Sequence, residues 1–229
     1  MQADDSEAAE ALDQRNLVRR SYDELADVYA AETGPNENDV LVDRLQADAP
    51  DGPLLDAGCG DGETVLEYLA DDRTVTGLDF SREQATRANR VVPGMVAQGD
   101  MTALPFAADS FAAVTAFYSI IHVPGEQHAD VYEEFARVLR PAGVVLVTTG
   151  TEDWVGRSDD WLDGGAPMEW DILGPEKSTD LLNAAGFEVY ETVGVVDAVG
   201  DDVDREKSRL VDPDSGEAEK LFLFARLTD

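Results

Sequence analysis

The chain has 229 residues, 43% of them hydrophobic, a length and apolar content that suit one globular domain. Its 49 acidic and 17 basic residues leave a net charge of −32, and no basic stripe is available to neutralise phosphates, so no nucleic-acid partner is expected. No apolar run approaches a membrane span, the N-terminus is acidic rather than signal-like, the single cysteine excludes an internal disulfide, and no His/Cys cluster has metal-ligand spacing.

Residues 1–13 are acidic and expected to fray. Residues 14–48 should hold two helices around the Gly34-Pro35 break. In the first, Tyr22 and Tyr29 lie seven positions apart and therefore near one face. Leu54-Leu55 opens a short buried strand that ends in Asp56-Ala57-Gly58-Cys59-Gly60-Asp61-Gly62, followed by a helical segment from Glu63 to Leu69. The alternating glycines let the backbone turn tightly and let a ligand approach where a Cβ would stand. The following helix starts with unpaired N–H groups. A dinucleotide fingerprint needs glycine at its first, third and sixth places; the sixth here is Glu63, so NAD fits poorly. By itself such a turn is equally compatible with a strand-to-helix junction that binds nothing. Cys59 reads as a small buried filler rather than a nucleophile.

The second strand, Thr74–Asp79, ends in an acid 21 positions after Gly58, where nucleotide folds place a ribose-binding carboxylate. Asp79 is alternatively a helix cap, although Ser81 in Ser81-Arg82-Glu83-Gln84 fits that role better. A third strand, Met95–Met101, runs into the acidic turn at Gly99-Asp100. Leu104-Pro105-Phe106 and Asp109-Ser110-Phe111 lead into a fourth, Ala112–Phe117. A helix from Val123 to Arg140, the turn Pro141-Ala142-Gly143 and the apolar run Val144–Val147 follow. The stretch 150–173 reads as irregular and holds Trp154, Trp161, Met168 and Trp170. Pro175–Ala185 reads as a helix stopped by Gly186. Phe187–Val193 and Leu221–Leu227 read as the last strands, with an acidic loop at 197–219. Strand and helix alternate from 53 to 149, which implies a parallel sheet.

Several segments in this order carry a family resemblance: Asp56–Gly62 as D-x-G-x-G-x-G, Asp79, and Gly99–Phe111 as G-D-x-x-x-L-P-F-x-x-x-S-F. Arg137–Gly143 as R-x-L-x-P-x-G and Tyr22–Tyr29 as Y-D-x-x-A-x-x-Y complete the set. Together they resemble the class I S-adenosylmethionine (SAM) dependent methyltransferases, small-molecule type (type 11/25-like), over about residues 18–147. Two positions depart: Ala112 stands for the usual Asp and Ala142 for the first Gly of P-G-G. The resemblance implies an α/β, Rossmann-like sandwich. Its seven-stranded, mostly parallel sheet has the order 3-2-1-4-5-7-6, the last strand antiparallel, with helices on both faces. Residues 1–48 would form cap helices and 49–229 the methyltransferase domain of a single unit.

It also implies SAM as cofactor, S-adenosylhomocysteine as product, and Tyr22, Tyr29, Asp56, Gly58, Cys59, Gly60, Asp79, Phe80, Asp100, Met101 and Phe117 as cofactor contacts. Asp79 would take the ribose, Phe80 the adenine face, Asp100 the adenine amino group, and the tyrosines would close over the cofactor. The methyl group would pass by in-line displacement to a small organic acceptor. Chemistry in such a fold lies beyond the carboxyl ends of the strands, which points to Tyr118, Trp154 and Trp170 as acceptor contacts. The tryptophans are alternatively a packed lid. His122 is the candidate base, because an unperturbed imidazole titrates near neutrality; otherwise it is a polar residue opening the next helix. A non-catalytic SAM-binding protein and a Rossmann-type NAD(P) oxidoreductase are the competing readings. Glu63, the Gly99-Asp100 turn and the tyrosine pair speak against the latter. No metal is expected, and monomer and homodimer are both open. Acid excess, only three lysines (Lys177, Lys207, Lys220) and abundant Asp, Ala and Val resemble a salt-in haloarchaeal cytoplasmic protein, whose self-repulsion molar salt screens over ~3 Å.

Overall fold

In the computed structural model, residues 2–32, 39–70, 73–196 and 209–228 are described. Helices α1 (Gln2–Glu32) and α2 (Asp39–Asp48) precede β1 (Leu54–Ala57), α3 (Leu66–Leu69), β2 (Val75–Asp79), α4 (Arg82–Val91) and β3 (Val96–Gln98). Then come β4 (Phe111–Ala116), α5 (His128–Val138), β5 (Leu139–Gly150), β6 (Trp154–Ser158), β7 (Met168–Ile172), α6 (Pro175–Ala184), β8 (Phe187–Val196), β9 (Arg209–Val211) and β10 (Lys220–Leu227). Strands β1 to β5 are parallel in the order β3-β2-β1-β4-β5. Every residue of β1 and β4 is buried, as strands covered on both faces must be. One core packs Val131, Tyr132 and Phe135 of α5 against the sheet, and another packs Leu41 and Leu45 of α2, Leu66 and Leu69 against its opposite face.

The expected α/β fold class and the central strand order are present, with one difference. The sheet has eight strands, β3-β2-β1-β4-β5-β10-β8-β9, with β10 antiparallel to both β5 and β8. The extra edge strand β9 lies in the segment read as an acidic loop. It pairs with Gly194–Val196, because β8 runs past Val193. Residues 197–208 of that segment lie outside the described residues, as does the Gly34-Pro35 break.

Four other expectations change. α1 begins at Gln2, so the acidic start is helical rather than frayed. The helix expected from Glu63 is one turn, Leu66–Leu69, because the glycine loop keeps the backbone in turns as far as Val65. The long helix expected from Val123 is preceded by 3₁₀ turns at Ile120–His122 and Gly125–Gln127. Pro124 forces Val123 into extended geometry (ψ 137°), which delays α5 to His128. Finally, the stretch 150–173 contains an antiparallel hairpin, β6-β7, separate from the main sheet. The Trp154 indole lies over Gly156, where a Cβ would stand 2.1 Å from the ring.

Candidate active site

The turn after β1 is strapped to the end of β2 by its own backbone. Gly58 and Cys59 both donate N–H to Leu78 O, at 2.7 and 3.1 Å. Gly58 and Gly60 have φ of 82° and 56°, a region L side chains enter at a cost. A Cβ on Gly58 would stand 2.2 Å from Ser119 Cβ, and Ser119 Oγ in turn donates to Ala57 O at 2.9 Å. A Cβ on Gly60 would meet nothing within 4 Å. Gly58 is thus required by packing, whereas Gly60 opens the backbone to a cleft.

That cleft holds a cavity of ≈ 100 Å³ between the turn and α1. Asp79 crosses its floor, with Oδ2 accepting Gly60 N–H and Oδ1 accepting Ser81 N–H, both at 2.8 Å. Burial pushes its carboxyl up to about 7; the two N–H bonds oppose the shift, and the charges of Asp23 and Asp61 add to it. Phe80, Met101 and Phe117 also line the cleft, as do Gly58, Gly60, Tyr118 and both tyrosines of α1. Tyr118 sits at φ 52° with its N–H on Thr148 Oγ1 at 3.2 Å, a non-glycine strain of the kind that clusters at functional sites.

Asp100, on the far wall, already has partners on both oxygens. Thr102 N–H and Oγ1 donate to its Oδ1 at 2.9 and 2.8 Å, and Arg15 pairs with Oδ2. The same guanidinium stands 5.9 Å from the Phe80 ring centroid. Arg15 belongs to none of the motifs. Its one signal is spacing: residues 15, 22 and 29 recur every seven positions and share a helix face. Arg19, Ser81, Gln84 and Ser119 are further wall residues the motifs did not single out.

Two expected contacts lie off the cleft wall. Asp56 is buried beneath the loop, where it accepts from Thr115 Oγ1 at 2.8 Å and burial raises its carboxyl to about 7. Cys59 turns its sulfur toward Gly77, where a Cβ would stand 2.9 Å away, and burial pushes the thiol well up. It packs as a filler between β1 and β2.

α1 is clipped over the cleft by the residue beside Tyr22. Asp23 Oδ1 accepts from Ser81 Oγ (2.7 Å) and Glu83 N–H (3.1 Å) at the start of α4. Arg87 returns a bond to Ala26 O at 3.0 Å and pairs with Asp27 at 2.5 Å. This explains the Y-D pairing: the acid anchors the helix that carries the ring. Tyr22 is edge-on to Tyr29 (5.3 Å), His122 (5.3 Å) and Trp161 (5.5 Å).

His122 lines the cleft with both nitrogens engaged. Nδ1 is 3.0 Å from Glu169 O, and Nε2 is 2.9 Å from the Tyr22 hydroxyl. A carbonyl only accepts, so Nδ1 carries the proton and Tyr22 donates to Nε2. Burial lowers the imidazole to about 4, so it is neutral at pH 7. Trp170 lies 6.0 Å behind His122, and Trp154 6.0 Å behind Trp170 and half exposed. Neither indole is on the cleft wall; they back the roof rather than face an acceptor. Trp161, which was not among the acceptor contacts, packs on both tyrosines. Among the described residues, no group of three His, Cys, Asp or Glu side chains is placed to hold a metal, and no helix is long and apolar enough to cross a membrane.

Residues 54–143 match the methyltransferase domain family. A probable SAM-dependent methyltransferase of Mycolicibacterium smegmatis is 32% identical over 165 residues, 71% of this chain and 62% of that protein. A 27-O-demethylrifamycin SV methyltransferase of Amycolatopsis mediterranei is 38% identical over 45% of this chain and 41% of that protein. A demethylmenaquinone methyltransferase of Desulfitobacterium hafniense is 26% identical over 61% and 58%. The chain thus spans between 41% and 62% of the length of these curated relatives. Among solved structures, the CcbJ methyltransferase of Streptomyces caelestis superposes with a TM-score of 0.66 at 18% identity, over 93% of this chain and 99% of that one. The [4+2]-cyclase SpnF does so with 0.63 at 23%, over 92% and 94%. These likenesses establish the fold, and the cyclase among them illustrates that fold alone does not fix chemistry. By sequence, residues 54–143 match a methyltransferase domain; by fold, the sheet around them is that of the Rossmann-like methyltransferases.

Proposed function

We propose that the protein binds SAM in this cleft and transfers its methyl group to a small organic acceptor, leaving S-adenosylhomocysteine. The observation that carries the reading is Asp79, held by Gly60 and Ser81 N–H groups beside the opening that Gly60 leaves. Phe80 and Asp100 share the same wall. That is a carboxylate for two ribose hydroxyls, an aromatic face for a purine and a second carboxylate for its amino group. The cofactor, when bound, supplies an electrophilic methyl on a sulfonium. The protein's contribution is alignment and exclusion of water.

Asp79 would accept the ribose hydroxyls with its remaining lone pairs. For Asp100 to receive an adenine amino group, Arg15 would yield Oδ2. His122 would take the acceptor's proton through Tyr22. The phenol accepts that proton while passing its own to Nε2, and the positive charge ends on the imidazole. Two of the relatives are named for 27-O-demethylrifamycin SV and demethylmenaquinone; hydroxyl compounds and demethylated quinones are therefore the first acceptors to try. The acidic surface supports a halophilic, cytoplasmic setting. The test is turnover of methyl-labelled SAM at molar KCl against a panel of hydroxyl compounds and demethylated quinones and a haloarchaeal metabolite extract. Label in an acceptor supports the reading. Binding without transfer to any acceptor leaves a SAM-binding protein, and failure to bind SAM overturns the cofactor assignment.

A further inference from the structure

Ser81-Arg82-Glu83-Gln84 has the form of a capping box, in which the first side chain accepts the fourth residue's N–H and the fourth side chain reaches back to the first residue's N–H. Only half of it forms. Ser81 Oγ accepts Gln84 N–H at 3.1 Å, but Ser81 N–H is already given to Asp79 Oδ1 at 2.8 Å. The Gln84 side chain loses its customary partner. It is 1% exposed, and neither its Oε1 nor its Nε2 has a hydrogen-bond partner among the described residues. It forms part of the cleft wall beside Asp79, Phe80 and Ser81.

A buried amide left unpaired is costly, and a methionine or leucine there would avoid that cost. We infer that Gln84 is a ligand-binding residue whose amide hydrogen-bonds the adenosine half of the cofactor. This rests on the SAM reading above. The adenosine half follows from its neighbours. Gln84 lies in the first turn of α4, directly after Asp79 and Phe80, whereas Gly58, Tyr118 and Ser119 line the β1 and β4 ends of the cleft. An amide offers two donors and one acceptor, which suits a purine edge or a ribose and gives no advantage over apolar groups in an empty wall.

The test is Gln84→Met, similar in length and apolar, with Gln84→Leu as a second variant; circular dichroism checks that each is folded. Titration calorimetry would use S-adenosylhomocysteine and 5′-methylthioadenosine, which lacks the amino-acid end. The expected result is about a tenfold loss of affinity for both ligands, the scale of one hydrogen bond of a buried polar group. The ligand-free melting temperature should be unchanged or raised, because an unpaired amide has been removed. Unchanged affinity in a folded variant overturns the inference. A loss confined to S-adenosylhomocysteine overturns the assignment to the adenosine half. Wild-type protein that binds neither ligand sinks the SAM reading and this inference together, whereas wild-type binding with an indifferent Gln84→Met sinks this inference alone.

Discussion

On the floor of the cleft, Gly58 and Gly60 are fixed by hydrogen bonds from their own backbone to Leu78 and Asp79; across the roof, Tyr22, Tyr29, Trp161 and His122 meet ring to ring. The floor's geometry is set within a few residues of each strand end and is stiff. The roof joins three distant segments through aromatic pairs worth about 0.5–1.5 kcal/mol each beyond their burial. It is pinned by Asp23, Arg87 and Arg15. A ligand entering such a cleft is therefore expected to displace the roof rather than the floor.

The largest expected effect tests both regions at once. Dilution from about 1 M to about 0.1 M KCl lengthens electrostatic reach from roughly 3 to 10 Å. With −32 charges on the chain, the melting temperature should fall by about 10 °C or more. Hydrogen exchange in residues 18–31 should quicken before that of β1 and β4. A flat melting temperature across the series counts against a halophilic protein. Next, Asp79→Ala should weaken S-adenosylhomocysteine binding by ~1.5–3 kcal/mol, the scale of hydrogen bonds to a charged group. The roof's exchange in the free protein should not change. Undiminished binding by calorimetry removes Asp79 from the site.

Trp161→Ala strikes the roof alone. It should cost ~1–3 kcal/mol of stability and speed exchange in 18–31 while leaving β4 protected. Equal loss on floor and roof would show that the two are not separable. Added S-adenosylhomocysteine should slow exchange in 18–31 and change tryptophan fluorescence in the wild type.

Acidification should move the two regions in opposite directions. Asp56 and Asp79 have folded values of about 7 against an ordinary 3.8. Their contribution to stability is therefore present in full below pH ~4 and lost as pH rises toward 7. His122 is held at about 4 against 6.5, so its contribution is present above that range and lost as pH falls through it. Between pH 7 and 5, exchange should slow at the floor and quicken at the roof. Asp56→Asn should flatten part of the floor's slope. Ligand affinity should fall over the same range, since ionised Asp79 is the acceptor. A common slope for both regions would contradict this. The smallest effect belongs to Arg15→Ala. Freeing Asp100 Oδ2 should tighten S-adenosylhomocysteine binding by up to about 1 kcal/mol; weaker binding would make Arg15 a cofactor contact.

The same contrast explains what was legible in the residue order. Gly58, Gly60, Asp79 and Asp100 are spaced by the lengths of the elements that carry them, so motif offsets place them around one cleft. Asp56 belongs to the motif, but the pleat of β1 turns it under the loop to Thr115, and periodicity within four residues does not reveal which way it faces. β6 and β7 were hidden because Gly156 and the glycines at 164 and 165 resemble loop punctuation. Gly156 instead makes room for an indole. With the hairpin unseen, Trp154 and Trp170 could not be placed behind His122. Gln84 was read as part of a helix cap, and no pattern shows that Asp79 has taken its partner.

The Tyr22–His122 bond ties the state of the imidazole to the position of α1. The phenol that covers the cleft also occupies the imidazole's single lone pair. If α1 swings out to release product, Nε2 loses that partner and meets water, and the imidazole's affinity for protons returns toward its ordinary value. Closing the helix, which lowers that affinity again, would then expel any proton from the imidazole, so that the shut cleft holds a neutral histidine ready to accept one.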